Sequence, residues 1–406
     1  MKRIKKIFKY ILIFVLSILV IANLAILFTG RLYIYKGLSA TYFRGHARPT
    51  IYDLDVFENR TIKKGNGQAW QVHSSIDQFA FSRPQREYIE DLNPASFLVA
   101  WGDTIIYEQY WDKHEVSTIG NSFSMSKSVV SLLIGCAIKD GLINNIDEPV
   151  ENYLDEFKGD KSGITIRHLL TMSSGLSWSE NYWHPFCDVA ELYYDTDARD
   201  LVLNRRTVEN KPGEIFDYKS GDTQTLMYIL EVATNKHISD YASEKIWQKI
   251  GAESDAQWSL VDQQDSEEKA SCCIYATTRD FAKLGKLVNQ NGSWNGEQLI
   301  DETYFNAFKS LAPLKKTSGK DNQLYGMQYW IYTGLPYEVT YFRGMAGQYI
   351  ISIPEYDLVI VRTGNGTHEN WENTAEKQDD AMEGHRVELP AYISTGMAIY
   401  AQAKSK

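Results

Sequence analysis

A chain of 406 residues that is 44% hydrophobic and 13% aromatic can bury a large core, which excludes wholesale disorder and allows one large domain or two smaller ones. Its formal charge of −10 is unevenly placed. Residues 1–31 hold six Lys/Arg and no acid, so the rest carries 36 Lys+Arg against 52 Asp+Glu, about −16, which argues against a nucleic-acid partner.

The chain opens with five basic residues among its first nine, followed by an uncharged run from Tyr10 to Gly30. As a helix, 21 residues reach roughly 30 Å, the thickness of a bilayer core. The small-residue pattern at Ala22 and Ala25 is a poor cleavage site, and no cysteine stands nearby to carry a lipid. An uncleaved single-pass anchor over 1–31 is therefore expected, with the basic end in the cytoplasm and the body outside. Residues 32–85 are mixed and polar, and read as a stalk or as an extension laid over the domain that follows.

Phe97–Trp101 and Thr104–Trp111 are strand-like runs joined by Gly102 and Asp103, a tight-hairpin signal. The stretch Asn121 to Gly135 then reads N-S-F-S-M-S-K-S-V-V-S-L-L-I-G. Its apolar run predicts a buried helix, and the small polar residues before it suit a helix start. Ser124 and Lys127, three apart, would share one face near N–H groups that lack helical partners. A serine is a weak nucleophile until a neighbour takes its proton. A lysine can do so when burial lowers its pKa. The competing reading is an ordinary helix cap beside a surface lysine. A second match, Ser266 to Lys269, lies in a charged run without an apolar helix, and Ser266 reads as solvated surface.

Residues 150–265 read as helix and loop, with helical spacing at 165–172, 223–233 and 238–250. Ser177 to Tyr194 is aromatic, with Trp178, Tyr182, Trp183 and Phe186; it walls a cleft or covers the helical region. Tyr218 follows the turn signal Pro212 and Gly213 and precedes a helix, which places it on a loop. Short strand patterns return at 325–332, 338–343, 348–353 and 358–362, and 388–403 closes the chain as a helix. One sheet drawn from both ends of the chain, with helices between, is the economical arrangement. Gly344 and Gly347 precede the 348–353 strand, where glycine lets a substrate approach the backbone and a strand-edge N–H can serve as an oxyanion donor; the competing reading is a β-bulge. Cys136, Cys187, Cys272 and Cys273 do not form a disulfide framework, and one unassigned bridge is allowed. His168, His184 and His237 lack metal-ligand spacing with Cys or Asp, so no metal or other cofactor is expected.

Four segments in order carry a resemblance: S-F-S-M-S-K-S at 122–128, I-T-I-R-H-L-L-T-M-S-S-G-L at 164–176, P-G-E-I-F-D-Y-K-S-G-D at 212–222 and R-G-M-A-G-Q-Y at 343–349. Together they resemble the serine β-lactamase/penicillin-binding-protein superfamily, in its class C-related branch. Within that branch, S-F-S-M-S-K-S and F-D-Y-K-S-G-D-T-Q look most like the nylon-oligomer (aminohexanoate-dimer) hydrolases. The resemblance runs over about 86–403. It implies an α/β (α+β) fold, an αβα sandwich with an antiparallel sheet and an all-helical insertion at about 145–270.

The resemblance further implies Ser124 as nucleophile, Lys127 as its proton partner and Tyr218 as general base and then acid. The backbone N–H groups of Ser124 and Met345 would form the oxyanion hole. Whether Lys127 or Tyr218 takes the first proton stays open. Ser220, Arg343, Gly344 and Trp183 are the expected substrate-binding residues. Two departures stand out. Phe342-Arg343-Gly344 replaces the usual Lys-Thr-Gly or His-x-Gly, and Ser220 replaces a common Asn. The expected activity is hydrolysis of a small or peptide-like amide or ester. The alternatives are a D-Ala-D-Ala carboxypeptidase or β-lactamase, and a tethered binding protein that has lost the chemistry.

Overall fold

The structure is a computed structural model that describes residues 2–182, 184–263, 266–367 and 384–406. Helix α1, Lys2–Phe28, has exposed side chains over nearly all of 3–28, and Arg3–Phe28 is long and apolar enough to cross a membrane or to serve as a signal sequence.

The central sheet has seven strands: β1 (Gln71–Val72), β2 (Pro94–Trp101), β3 (Thr104–Tyr110), β4 (Trp330–Tyr332), β5 (Val339–Gly344), β6 (Gln348–Ile353) and β7 (Leu358–Gly364). Their order is β4-β5-β6-β7-β2-β3-β1, so strands from both ends of the chain pair side by side at β7 and β2. All neighbours are antiparallel except β1 and β3, which run parallel at the edge. The expected strand at 325–332 shrinks to β4, because Gln328 turns the chain at a φ of 67°.

Both faces of this sheet are covered, which is why β2 and β7 carry apolar runs, Phe97–Trp101 and Leu358–Val361, rather than alternating. On one face, Phe97, Val99, Ile351 and Ile360 pack against Leu389, Tyr392 and Ile393 of the C-terminal helix, Leu389–Lys404. On the other, Leu98, Ile350, Val359 and Val361 meet Phe281, Leu284 and Leu287 of the helix Thr278–Asn289. That helix lies close because of Gly285, where a Cβ would fall 2.5 Å from Val359 Cγ1 and 2.9 Å from Ile350 Cγ2. Both neighbours are β-branched and stiff. Gly285→Ala is therefore expected to destabilise the domain by about 1–3 kcal/mol, despite the better helix propensity of alanine. A raised denaturant midpoint would contradict this packing.

Residues 32–85 are woven into the domain. Asn59–Ile62 pairs with Ala256–Ser259 in a second sheet completed by Ile274–Ala276 and Gly120–Asn121, and β1 extends the main sheet. The region 145–270 is mainly helices and turns, but it is not all-helical. It contributes Ala256–Ser259 to the second sheet and a short strand, Ile215–Phe216, paired with Lys315–Lys316.

Candidate active site

The second sheet delivers its last strand, Gly120–Asn121, to the start of the helix Met125–Lys139. The Asn121 side chain accepts the Phe123 N–H at 2.8 Å, and Ser122 is stitched to Ile274 through its N–H at 2.7 Å and its hydroxyl at 3.1 Å. These bonds hold buried Phe123 at a φ of 44°. For a bulky residue that conformation costs on the order of 1–3 kcal/mol and persists only under such constraint. The sharp bend sets Ser124 at the helix cap, partly accessible, while its neighbours are buried. The helix runs beyond Gly135 to Lys139. A Cβ at Gly135 would lie 2.4 Å from Ile300, so glycine there serves close packing rather than termination.

Lys127 is 2% exposed and points to Ser124. Its Nζ lies 3.2 Å from Ser124 Oγ, 3.1 Å from Ser220 Oγ and 2.7 Å from the Ser271 carbonyl oxygen. Burial lowers its pKa to about 8, against an upward pull from the Glu180 carboxylate. An amine in this state can exist as a free base near neutral pH and accept a hydroxyl proton.

Tyr218 sits on the loop before the helix Ser220–Thr234, and the turn at 171–175 buttresses that loop. Met172 accepts the Asp217 N–H at 2.9 Å, Ser173 accepts the Gly213 N–H at 2.8 Å, and Ser174 donates its hydroxyl to Asp222 Oδ1 at 2.7 Å. The Tyr218 ring stacks on Trp330 of β4, with centroids 5.8 Å apart, and Lys127 Nζ is 5.2 Å from its centroid. Burial, and then the Glu180 charge, push the phenol pKa well up; the neighbouring Ser124 hydroxyl, Arg343 and Arg386 pull the other way. The phenol is therefore held in its protonated form.

The end of β5 closes the site. A Cβ on Gly344 would stand 2.1 Å from the Ser122 carbonyl oxygen, so only glycine fits there. Met345 packs beside Phe123 and begins a tight turn in which Ala346 has a φ of 59°. Arg362 of β7, fully buried, donates Nη1 to the carbonyls of Ala346 at 3.0 Å and Gly347 at 2.8 Å, fixing that turn. Arg343 lies with its guanidinium carbon 3.5 Å from the Trp330 ring centroid and is 5% exposed. It thus stacks on the ring that also carries Tyr218. Trp183 falls outside the described residues.

The structure brings Ser124, Lys127, Tyr218, Ser220, Gly344 and Met345 to one place, and it adds Glu180, which sequence reasoning passed over. Glu180 accepts the Ser220 hydroxyl at 2.6 Å and the Ser220 N–H at 2.9 Å. It also accepts Trp178 Nε1 and the Tyr182 hydroxyl, each at 2.5 Å. Its one sequence signal was an acidic residue inside an aromatic stretch. The carbonyl of Ser271, which anchors Lys127, directly precedes a disulfide between the adjacent Cys272 and Cys273; Cys136 and Cys187 are free and buried. The end of the charged run before it, Glu268 and Lys269, is buried. Lys269 is 1% exposed, donates to the Tyr193 carbonyl at 2.8 Å and lies 4.4 Å from the Phe57 ring centroid. Elsewhere Glu231, His237 and Glu268 lie close together; Arg60 pairs with Glu268 at 2.8 Å, and His237 Nδ1 lies 3.4 Å from Glu231 Oε1.

Comparison with known proteins agrees with this architecture. The 6-aminohexanoate-dimer hydrolase of Paenarthrobacter ureafaciens is 24% identical over 304 residues, covering 71% of this chain and 76% of the relative. A putative 6-aminohexanoate-dimer hydrolase from Bacillus anthracis superposes with a TM-score of 0.72 at 22% identity, covering 87% of this chain and 93% of its own. A family VIII carboxylesterase gives a TM-score of 0.56 at 16% identity, covering 79% and 98%. The Beta-lactamase family model matches residues 86–382, and with most of the chain so covered the protein belongs to the beta-lactamase family of serine hydrolases.

Proposed function

We propose that this protein is a membrane-anchored, extracytoplasmic hydrolase that cleaves amide or ester bonds through an acyl-Ser124 intermediate. The observation that carries the reading is the buried Lys127 amine, 3.2 Å from a partly accessible serine hydroxyl at a helix cap. Helix α1, with five basic residues at its head, supports a single-pass anchor with the body outside. The likeness to enzymes named for an aminohexanoate dimer supports a linear amide substrate.

In the proposed cycle the Lys127 lone pair takes the Ser124 proton as Oγ bonds to the substrate carbonyl carbon. The carbonyl π pair moves to oxygen, where the N–H groups of Ser124 and Met345 stabilise it. Collapse of that oxyanion breaks the bond to the leaving group, which takes a proton from the Tyr218 phenol. The proton held by Lys127 returns to the phenolate. Water then attacks the acyl-enzyme by the same steps in reverse, releasing the acid and Ser124. Gly344 gives the substrate room beside the strand, and Ser220, with Trp178 and Tyr182 joined to it through Glu180, stands beside Lys127.

Turnover of β-lactams or D-Ala-D-Ala peptides is less favoured, because Arg343 is engaged on Trp330 at the place where related enzymes offer a free cation. A fluorophosphonate probe should label the wild type and not Ser124→Ala. Persistent labelling of the variant would remove Ser124 from this role. A parallel screen of nitrocefin, a D-Ala-D-Ala peptide, a linear amide and a p-nitrophenyl ester separates the substrate classes.

A further inference from the structure

The geometry points to Glu180 as a positioning residue that aims the Lys127 lone pair at Ser124, acting through the Ser220 hydroxyl. This inference rests on the reading of Lys127 as the base and extends it by one shell.

The argument is a count of donors and acceptors. A neutral lysine amine has two N–H donors and one lone pair. Three oxygens surround Nζ: Ser124 Oγ, Ser220 Oγ and the Ser271 carbonyl. The carbonyl can only accept, so it takes one N–H. A serine hydroxyl can donate or accept, and a free Ser220 would be as good a partner for the lone pair as Ser124. Glu180 removes that freedom. Its Oε1 accepts the Ser220 proton at 2.6 Å, a charge-assisted bond stronger than any the neutral amine can offer. Ser220 is left as an acceptor toward Lys127 and takes the second N–H. The lone pair then has Ser124 as its remaining partner, in the polarity that proton removal requires.

Glu180 is itself held in place. Trp178 Nε1, the Tyr182 hydroxyl and the Ser220 N–H all donate to it, and the Ser220 N–H opens the 15-residue helix Ser220–Thr234, whose N-terminus favours a carboxylate. Gly221 permits this assembly, since a Cβ there would lie 2.8 Å from the Trp178 ring. The charge has a second effect, because it opposes the burial that lowers the Lys127 pKa. The other titratable groups that feel Glu180 are Tyr218, Tyr182, Cys187 and Tyr325, while Arg343 and Arg386 act on Tyr218.

The test uses the full-length protein with a p-nitrophenyl ester as probe, since its leaving group needs no proton and the readout isolates the base. Glu180→Gln is expected to lower kcat about 10- to 100-fold with KM changed less than threefold, and to move the acid limb of kcat/KM to lower pH. Ser220→Ala should give a similar loss of kcat. The double variant should be no worse than either single one, because the two residues act in one line. Multiplying losses in the double variant, or an acid limb in Glu180→Gln that superimposes on the wild type, would overturn the proposal. Should Glu180→Gln fail to fold, Ser220→Ala alone decides: a loss of kcat below twofold overturns it. Lys127→Met is the control for the underlying reading. If that variant stays fully active, the base assignment fails. If it is inactive while the Glu180 and Ser220 variants behave as wild type, only the present inference fails.

Discussion

Lys127→Met is expected to lower kcat/KM by about 10²–10⁴-fold while raising the thermal midpoint at pH 7. Both effects come from one physical fact. The amine is buried against Ser124, Ser220 and the Ser271 carbonyl, and burial penalises its charged form. Without it, and with the Tyr218 phenol kept protonated, the described residues leave no free amine at Ser124. In the wild type, kcat/KM should fall about tenfold per pH unit below the Lys127 value of about 8, where the amine is protonated. The stability effect has a defined direction. The folded value lies below the ordinary 10.5, so between about 8 and 10.5 the unfolded chain binds more protons and stability rises with pH across that window. Below about 8 the penalty for the buried ammonium is fully present, on the order of 3 kcal/mol at about 1.4 kcal/mol per unit. Methionine fills similar volume without a charge. Calorimetry at pH 6 and pH 9 checks this, and a midpoint that drops in the variant at pH 6 would show that the hydrogen bonds of Lys127 outweigh its desolvation.

Tyr218→Phe should discriminate between leaving groups. The phenol is kept protonated by burial and by the Glu180 charge, which suits it to donate rather than to accept the first proton. An amide nitrogen leaves poorly unless protonated, whereas p-nitrophenolate leaves unaided. Loss of the hydroxyl should therefore cost about 10²–10⁴-fold on a linear amide and less than about tenfold on the p-nitrophenyl ester. Equal losses on the two would assign Tyr218 to removal of the Ser124 proton instead. The ring itself is retained in phenylalanine, so its stacking on Trp330 and its loop position are preserved.

How far the chain could be read in advance differed from one element to the next, for physical reasons. Strands covered on both faces carry unbroken apolar stretches, such as Phe97–Trp101 and Leu358–Val361, so β2 and β7 announced themselves, as did the core helix after Ser124. The 325–332 stretch was misjudged because a positive φ at Gln328 overrides local pattern. Residues 32–85 could be read as a stalk or as an extension laid over the domain, because their short strands have partners nearly 200 residues away, at Ala256–Ser259. The burial of Lys269 is not legible in its charged neighbours; nothing local signals that Phe57 will cover it. Glu180 and Arg362 escaped notice for the same reason. A carboxylate and a guanidinium are surface residues by default, and only distant partners, Ser220 for one and Ala346 with Gly347 for the other, give them work.

The sequence by itself determined the order of the candidate site residues, the apolar first helix and the strand-rich ends, because these follow from residue type and from spacing within one element. The tertiary structure decided which groups meet. A buried position lowers the Lys127 pKa, burial and the Glu180 charge keep the Tyr218 phenol protonated, and the Glu180 carboxylate turns Ser220 into an acceptor. Desolvation and hydrogen-bond polarity are properties of neighbours, and in this chain those neighbours arrive from segments 40 to more than 140 residues away.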